Sequence, residues 1–528
     1  MGEKIRTQSF LERFARGCVT APRFWLLATV VIALAHAVLI FARPLPPLHD
    51  YPGHIARVYI MMYLDQSAFL REYYDYEWKF RHNIGSDLVI YALAHLMPIE
   101  VAGRTVVAAI PALTLLGVAW IRHKIHQRVD GLVLLAVPYA MGTWFGWGFI
   151  NYCFSIALAL IAFAAWLHVR AWTPTVRSAL LLGFGFIVWL AHLTGWGILC
   201  VLVFSWEIAS IEKLRDRRMG DLLGDFFHVI LRCLPLAGPL LVMAASTGGG
   251  GLQVRLWSIA YKFFAPLDSL AFTWDRADKY CVVLLFLMAG AGLLFRLTRI
   301  SVGLALAALS IFAAYLVSPT EMLGGGSVDI RMLTPLALIA VTALAWRPDA
   351  RTRLQLVLIA AITLGAAVVA IGRFSYTAQA LQRYDRELAY NLALIELLPR
   401  GARILVLVVD KFVSGRPPLI YLPSIAVIRR DAFSNVQWEA PGGHSLVLKH
   451  WHEGAPVMGG EGSIVGQDND GRPTGELERY IANEPLHRFD YVWVVNAHRV
   501  PRSQSDRIEM VGETERSALY RVLSVSAN

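Results

Sequence analysis

Long apolar runs, separated by short polar segments, constrain the fold of this chain more than any other feature. Eleven such runs lie near residues 24–42, 105–121, 131–147, 154–169, 178–193, 194–211, 227–246, 281–295, 300–317, 332–346 and 354–371. A helix of about 20 apolar residues matches the hydrocarbon core of a bilayer. Only 17% of the 528 residues are charged, whereas soluble domains carry about a quarter charged residues. The runs are therefore predicted to be transmembrane helices, which excludes an ordinary soluble enzyme.

The hydropathy pattern changes after Gly372, and we predict a transmembrane domain over residues 1–372 and a soluble α/β domain over 373–528. The first outer loop, 44–104, is predicted to hold two juxtamembrane helices, near 53–70 and 85–98. The soluble domain is predicted to contain a helix over 376–399, strands at Ile404–Val409, Leu419–Ile428, Tyr491–Val495 and Tyr520–Val525, and a loop over 453–475. The expected fold is a mainly α-helical polytopic membrane protein of about 11 transmembrane helices, with a C-terminal α/β domain on the outer face.

Basic residues indicate which side of the membrane each end of the chain occupies. Five of them precede the first apolar run: Lys4, Arg6, Arg13, Arg16 and Arg23. Positively charged segments stay cytoplasmic, and an odd number of spans then places the C-terminal domain outside. We expect a multi-pass protein of the inner (plasma) membrane. The net charge of +10 is explained by this topology, so nucleic acid is not an expected partner.

The densest cluster of reactive side chains directly follows the first apolar run. Asp50, His54 and Arg57 are spaced i, i+4 and i+7, so they share one face of a helix that begins here. A carboxylate beside a histidine and an arginine suits a general base with a phosphate clamp. Asp50, two residues before Pro52, is also suited to be a helix N-cap. The sequence alone leaves both readings open.

Two predicted outer segments combine aromatic and polar residues. Arg81 and His82 end the stretch 72–83, whose aromatic rings among polar groups suit a sugar-like ligand. Such rings are also typical of the interfacial belt of any membrane protein. Asn151 lies in a second aromatic segment, and its amide is the polar group there that we expect to point into a cavity.

Two further candidates lie at predicted outer ends of later helices. His192 is at the tip of a helical hairpin, where a lone histidine is often a satisfied packing residue. Arg331 enters a late apolar run, where an arginine either binds an anionic headgroup or snorkels toward the interface.

Five short sequence motifs follow one another in a characteristic order along the chain. They are Asp50 after the first run, Ala102–Arg104 before Val106–Pro111, the basic turn Arg122–Arg128, Leu193–Trp196 in a hairpin, and Arg331–Pro335 at the entrance of a late run. Together with the span pattern, these phrases resemble the GT-C superfamily of membrane glycosyltransferases. The resemblance is closest to the bacterial branch that contains the lipid A aminoarabinose transferases and the protein O-mannosyltransferases.

The resemblance implies an inverting glycosyl transfer from a polyprenyl-phosphate sugar to a lipid, glycan or protein acceptor at the outer membrane face. Asp50 matches the family's general base. Arg57, Arg81 and Arg331 would compensate the phosphate charge, and His54 would orient Asp50 or contact the phosphate. The complete expected substrate-binding set is His54, Arg57, Arg81, His82, Asn151, His192 and Arg331. Membrane lipids are expected as further partners.

The sequence departs from the family pattern in two places. The segment 147–153 holds no second acidic residue, so no cofactor is expected and a metal-dependent mechanism is not favoured. Asp50 with His49 or His54 still offers two ligands for a divalent cation. Gly195 stands where family members carry a lysine, which would leave a phosphate contact to His192.

The alternatives from other functional classes are a non-catalytic assembly or export component on a GT-C-like scaffold, and a transporter.

Overall fold

The computed structural model describes residues 10–211, 219–246, 254–255, 259–272, 276–322, 326–349, 352–408, 420–438, 445–449, 463–464, 485–495 and 505–523. Its α-helices are α1 (Phe10–Thr20), α2 (Pro22–Phe41), α3 (Tyr51–Tyr63), α4 (Ala68–Tyr73), α5 (Gly85–Ala94), α6 (Ile99–His126), α7 (Thr143–Gly146), α8 (Ile150–Val169), α9 (Pro174–Ala191), α10 (Leu193–Ala209), α11 (Met219–Cys233), α12 (Gly238–Ser246), α13 (Ile259–Phe264), α14 (Arg276–Leu294), α15 (Val302–Val317), α16 (Leu333–Ala343), α17 (Arg353–Leu392) and α18 (Ile425–Arg430).

The strands are shorter and lie mostly in the C-terminal part. They are β1 (Tyr74–Tyr76), β2 (Val254–Arg255), β3 (Thr298–Ile300), β4 (Glu321–Met322), β5 (Leu344–Trp346), β6 (Arg403–Val408), β7 (Phe433–Ser434), β8 (Leu446–Leu448), β9 (Ser463–Ile464), β10 (Tyr491–Val495), β11 (Ile508–Glu513) and β12 (Ala518–Val522).

Within the described residues, seven helical segments are long and apolar enough to cross a membrane. They are α2, α6, α8, α9, the segment Asp221–Ala244, α14, and the segment Arg353–Leu397 that begins with α17. On α2, the exposed side chains Leu27, Val31, Leu34 and Val38 recur at helical spacing, as expected for a face in contact with lipid. The chain is thus a mainly helical, multi-pass membrane protein.

Four of the eleven predicted spans correspond to shorter apolar helices, so the count of eleven stays a prediction. Three of the four are α10, α15 and α16. The fourth, near 131–147, is a 3₁₀-helix over Gly131–Met141 followed by α7. Pro138 removes a backbone donor within it, and a side chain on Gly142 would approach the carbonyl oxygen of Ser269 to 2.8 Å. The chain therefore packs closely here instead of continuing as one α-helix.

The C-terminal part contains a sheet with the strand order β11-β12-β10-β6-β7, and β9 also pairs with β6. Strands β6 and β10 are parallel, whereas β12 runs antiparallel to β10. The predicted strands at Ile404–Val409 and Tyr491–Val495 correspond to β6 and β10, and the one at Tyr520–Val525 corresponds to β12. The predicted loop 453–475 lies outside the described residues except for β9.

The predicted strand at Leu419–Ile428 is wrong. Leu422–Ser424 forms a 3₁₀ turn that continues into α18. A short apolar run does not distinguish a buried strand from a buried helix. Pro423, whose fixed backbone angle suits the first turn of a helix, was the signal that the sequence offered.

The predicted boundary at residue 372 falls inside a helix, because α17 continues without a break from Arg353 to Leu392. The helix predicted over 376–399 is the second half of α17 and a following 3₁₀ turn at Ala393–Leu397. The division into two domains stays a prediction.

The C-terminal part is joined to the first loop through several independent contacts. Strand β1 of the loop pairs with β8. The buried carboxylate of Asp431 accepts hydrogen bonds from the hydroxyls of Tyr59 (2.8 Å) and Ser67 (3.1 Å). Arg429 forms a two-pronged ion pair with Glu100 at the start of α6. These contacts fix the C-terminal part against the first outer loop and the start of α6.

The orientation of the termini is a prediction that a fusion reporter tests. Alkaline phosphatase, which is active only outside the cytoplasm, is expected to be active when it is fused after Asn528. The same enzyme fused after Thr173, in a predicted cytoplasmic turn, is expected to be inactive. An inactive fusion at Asn528, with intact protein in the membrane, would contradict the odd span count.

Candidate active site

Asp50 is held in place through its backbone, and its carboxylate is left for other contacts. It occupies the N-cap position of α3, but its side chain makes no capping hydrogen bond. Its backbone N–H donates to the carbonyl oxygen of Trp147 (3.0 Å), and that of His49 donates to Gly146 (3.2 Å). Gly148 has a φ of +75°, and a side chain there would approach the Asp50 nitrogen to 2.6 Å. This tight turn brings the start of α3 against the end of α7.

The electrostatic environment of Asp50 favours the protonated carboxyl. Its side chain is 16% exposed, and His49 Nε2 lies 3.7 Å from its Oδ1. Burial raises the pKa of Asp50 to about 8, although the charges of Arg331 and Arg57 act to lower it. A carboxylate with a pKa in this range is basic enough to accept a proton from a hydroxyl group during a reaction near neutral pH.

Arg57 is committed to a buried ion pair that the sequence analysis missed. Its Nε and one terminal nitrogen donate to Asp87 Oδ2 at 3.0 and 2.7 Å. The same terminal nitrogen lies 2.6 Å from His54 Nδ1. Burial acts to raise the pKa of Asp87, but the charge of Arg57 and the hydrogen bond with His54 have the larger effect. The net result is a pKa lowered to about 2. Burial and the charge of Arg57 lower the pKa of His54, so a neutral imidazole lies within this pair.

Asn151 completes the buried network around Asp87. Its side-chain oxygen accepts hydrogen bonds from the backbone N–H and the hydroxyl of Ser86, both at 2.8 Å. Its amide donates to the carbonyl oxygen of Asn83 (3.1 Å) and to Asp87 Oδ1 (3.3 Å). The amide therefore does not point into an open cavity. It joins α5 to α8 behind the site and orients the partner of Arg57.

Arg331 acts on the same carboxyl, although it lies almost 300 residues later in the sequence. It lies in a 3₁₀ turn, Ile330–Met332, whose first N–H is capped by Asp329. Asp329 is paired in turn with Lys262, at 3.3 Å. The Arg331 guanidinium lies over the rings of Phe149 (4.6 Å) and Trp144 (5.8 Å). Its buried Nε has no hydrogen-bond partner among the described residues, so the site retains an unused donor.

His192 and His82 extend this region away from Asp50. His192 Nε2 lies 3.5 Å from Arg331, and its Nδ1 accepts the backbone N–H of Thr194 at the start of α10. Burial, then the charges of Arg331 and His82, lower the pKa of His192 well below its ordinary value. His82 packs edge-on against Trp189. Arg81 lies beside it on the segment before α5, and its charge acts on His82.

A cavity of about 180 Å³ lies next to the aromatic rings that contact Arg331. Its wall includes Trp144 and Phe149, the two rings under Arg331, and also Trp147, Tyr261 and Asp268. The sequence alone leaves the role of these rings open, because an interfacial belt has the same composition.

Two aromatic residues of the C-terminal part contact histidines that are close to Asp50 in sequence. The ring of Tyr421 contacts His49 at 5.0 Å, and the ring of Trp438 contacts His54 at 5.9 Å. Tyr421 and Trp438 contact each other at 4.3 Å. No local sequence pattern predicts these contacts, because they connect segments that are far apart along the chain.

Among the described residues, no group of three or more His, Cys, Asp or Glu side chains is arranged to hold a metal ion. The carboxylates of Asp50 and Asp87 are each next to an arginine charge, which opposes the binding of a cation.

Comparison with known proteins finds similarity among solved structures. No protein-family model and no curated protein sequence matches the chain. The chain is similar to the crystal structure of ArnT from Cupriavidus metallidurans bound to undecaprenyl phosphate, with a TM-score of 0.48 and 13% sequence identity. The similarity covers 95% of this chain and 98% of that one.

Proposed function

We propose that this protein is a GT-C-type inverting glycosyltransferase, which moves a sugar from a polyprenyl-phosphate donor to an acceptor hydroxyl at the outer face of the inner membrane. The observation that carries the proposal is the convergence of Asp50 and Arg331. They come from distant parts of the chain, and the arginine charge acts on the carboxyl. A neighbouring cavity is lined by Trp144 and Phe149, over whose rings Arg331 lies, and by Trp147, whose carbonyl oxygen accepts the Asp50 N–H. A base and a cation next to an aromatic cavity are what this reaction needs.

In the proposed reaction, Asp50 accepts the proton of the acceptor hydroxyl as its oxygen attacks the anomeric carbon of the donor. The new C–O bond forms on the face opposite the phosphate, and the bond between the anomeric carbon and the phosphate oxygen breaks. The bonding electrons leave with the phosphate, whose added negative charge Arg331 stabilises. Asp50 then releases its proton to water. Base catalysis of this kind contributes roughly 10²–10⁴-fold.

The arginines have different parts in this proposal. Arg331 has a buried donor without a partner among the described residues, so it is the proposed phosphate ligand. Arg57 is already paired with Asp87, and we assign it to the electrostatic support of Asp50. Arg81, with His82 and His192, lies on the Arg331 side of the site and is proposed to contact the donor headgroup.

The N-cap reading of Asp50 receives less support than the catalytic one. A capping role would use the carboxylate to accept a backbone N–H of the first turn, and α3 has no such bond. A non-catalytic scaffold needs no carboxylate whose pKa is raised to about 8 beside two arginines.

The direct test is donor consumption by the purified, detergent-solubilised protein. We expect it to release polyprenyl phosphate from at least one of a set of polyprenyl-phosphate hexoses and pentoses, presented with a membrane glycolipid extract. If folded, monodisperse protein neither binds nor consumes any of these donors, the proposal is contradicted.

The activity is expected to survive exhaustive chelation, because a hard divalent cation needs several oxygen ligands and the carboxylates of Asp50 and Asp87 each lie near an arginine charge. Turnover should be measured after dialysis against EDTA, with and without added Mg²⁺ or Mn²⁺. A strict requirement for either ion would show that ligands come from residues not identified above.

A further inference from the structure

The rings of Tyr421 and Trp438 contact two histidines that are close in sequence to the residue proposed as the base. Tyr421 contacts the residue before Asp50, and Trp438 contacts His54, one helical turn after it. The two rings also contact each other. They form one continuous aromatic surface, which the C-terminal part contributes to the first turn of α3.

The position of Trp438 is determined by a close approach to the α3 backbone. A side chain on Gly53 would lie 1.9 Å from the Trp438 ring, so the indole rests directly on the glycine. The neighbouring Gln437 amide donates to the carbonyl oxygen of Gly53 at 3.2 Å. Trp438 is therefore held against the first turn of α3 by contacts of its own ring and of its neighbour Gln437.

The C-terminal part is also attached to the membrane domain by contacts that do not involve these rings. Attachment is provided by the β1–β8 pairing, by the Asp431 hydrogen bonds and by the Arg429–Glu100 ion pair. Tyr421 and Trp438 both remain partly exposed, as do His49 and Asp50. A surface of this kind, in which ring faces adjoin imidazoles and a carboxylate, fits a ligand that is apolar on one face and rich in hydroxyls at its edge.

A sugar ring has these properties. Its polarised C–H groups pack on the negative face of an aromatic ring, and its hydroxyls are then directed toward the polar groups at the rim. We propose that Tyr421 and Trp438 form an acceptor subsite that binds the sugar ring whose hydroxyl is deprotonated by Asp50. The acceptor is accordingly a saccharide, not a polypeptide. This inference rests on the proposed function and deepens it by naming the class of acceptor.

The test separates the aromatic face from apolar bulk at position 438. Trp438→Phe keeps a ring, whereas Trp438→Leu keeps an apolar side chain without one. An aromatic stacking contact is worth about 0.5–1.5 kcal/mol, which corresponds to roughly 2–10-fold in affinity. We expect Trp438→Leu to raise the KM for the acceptor by about that factor, while the KM for the polyprenyl-phosphate donor stays unchanged. Trp438→Phe should recover most of the loss.

The matched control is Trp172→Ala, which removes an exposed tryptophan from the predicted cytoplasmic side and should leave both KM values unchanged. If Trp438→Leu fails to fold, Tyr421→Leu with Tyr421→Phe provides the same comparison. Equal acceptor KM values in the wild type and the leucine variant would overturn the inference. A lower kcat with an unchanged acceptor KM would also overturn it, because that pattern indicates a structural role.

Three acceptors distinguish the sources of the sugar: a glycolipid, the oligosaccharide released from it, and a serine- and threonine-rich peptide. Transfer to both saccharides supports recognition of the sugar alone, and transfer to the glycolipid only supports a lipid-borne sugar. Transfer only to the peptide, or donor consumption without transfer to any saccharide, overturns the inference but leaves the donor part of the proposed function standing. A wild-type protein that consumes no donor contradicts the proposed function itself.

Discussion

Asp50→Asn is expected to lower turnover by at least ~10²-fold, the lower end of the contribution of a general base. The amide has nearly the volume of the carboxyl but does not accept the acceptor's proton. The variant should retain the fold, since the Asp50 side chain makes no capping hydrogen bond. The position of residue 50 is fixed by its backbone hydrogen bond to Trp147 and by the close approach of the turn at Gly148. Steady-state rates of polyprenyl phosphate release measure the effect.

The stability of this variant distinguishes a catalytic residue from a structural one. The pKa of Asp50 is raised to about 8 in the fold, so the folded protein binds more protons than the unfolded chain between about pH 4 and pH 8. The carboxyl therefore costs stability increasingly as the pH rises through this window, and Asp50→Asn removes that cost. We expect its Tm at pH 8 to be no lower than that of the wild type.

Asp65→Asn is the matched control, because Asp65 is an exposed carboxylate on the same loop and remote from the proposed chemistry. It should retain wild-type turnover. Wild-type turnover in a well-folded Asp50→Asn protein would remove Asp50 from the mechanism. Loss of both Tm and turnover would instead indicate that the carboxylate supports the fold.

Much of the membrane domain was predictable from the sequence, because hydropathy reports burial in lipid directly. Seven of the eleven predicted runs correspond to helices long enough to span. The run near 131–147 did not, since Pro138 and the close packing at Gly142 interrupt it. The apolar run at Leu419–Ile428 was assigned to the wrong element because its length suits both a strand and a helix.

The candidate site was predictable only where its residues are close in sequence or lie at predicted helix ends. Asp50, His54 and Arg57 were found from their spacing, and Arg331 from its place before a late helix. Asp87 was not found, because a single acidic residue at the start of an apolar helix is usually a favourable helix-terminal charge. Its pairing with Arg57 across 30 residues depends on how α5 packs against α3.

The aromatic surface of Tyr421 and Trp438 illustrates the same limit more strongly. Its position depends on the pairing of β1 with β8 and on Asp431, contacts between the first outer loop and the C-terminal part. No local pattern in the sequence specifies which two segments will meet. A glycine at position 53, which permits the close approach of Trp438, acquires its meaning only after the contact is known.

Arg331→Met is expected to lower turnover by roughly 10²–10³-fold, the range for removing one preorganised donor to a developing negative charge. Methionine keeps an unbranched apolar side chain over Phe149 and Trp144, so packing changes little while the charge is lost. Arg331→Lys keeps a cation but not the planar, forked donors, and its turnover should lie between those of the methionine variant and the wild type. Arg353→Ala, which removes an exposed arginine on the predicted cytoplasmic side, should have no effect.

The pH dependence connects Arg331 to Asp50 in a way that a packing role does not. If deprotonated Asp50 is the base, kcat/KM for the acceptor rises with pH and levels off above about pH 8. This value is the pKa of the Asp50 carboxyl in the folded protein without substrate. The Arg331 charge lowers that pKa, so Arg331→Met should move the midpoint of the rise to higher pH. Arg331→Lys should leave the midpoint close to that of the wild type. A midpoint that is the same in all three proteins would show that the two side chains are not electrostatically coupled, and Arg331 would then have no place beside the base.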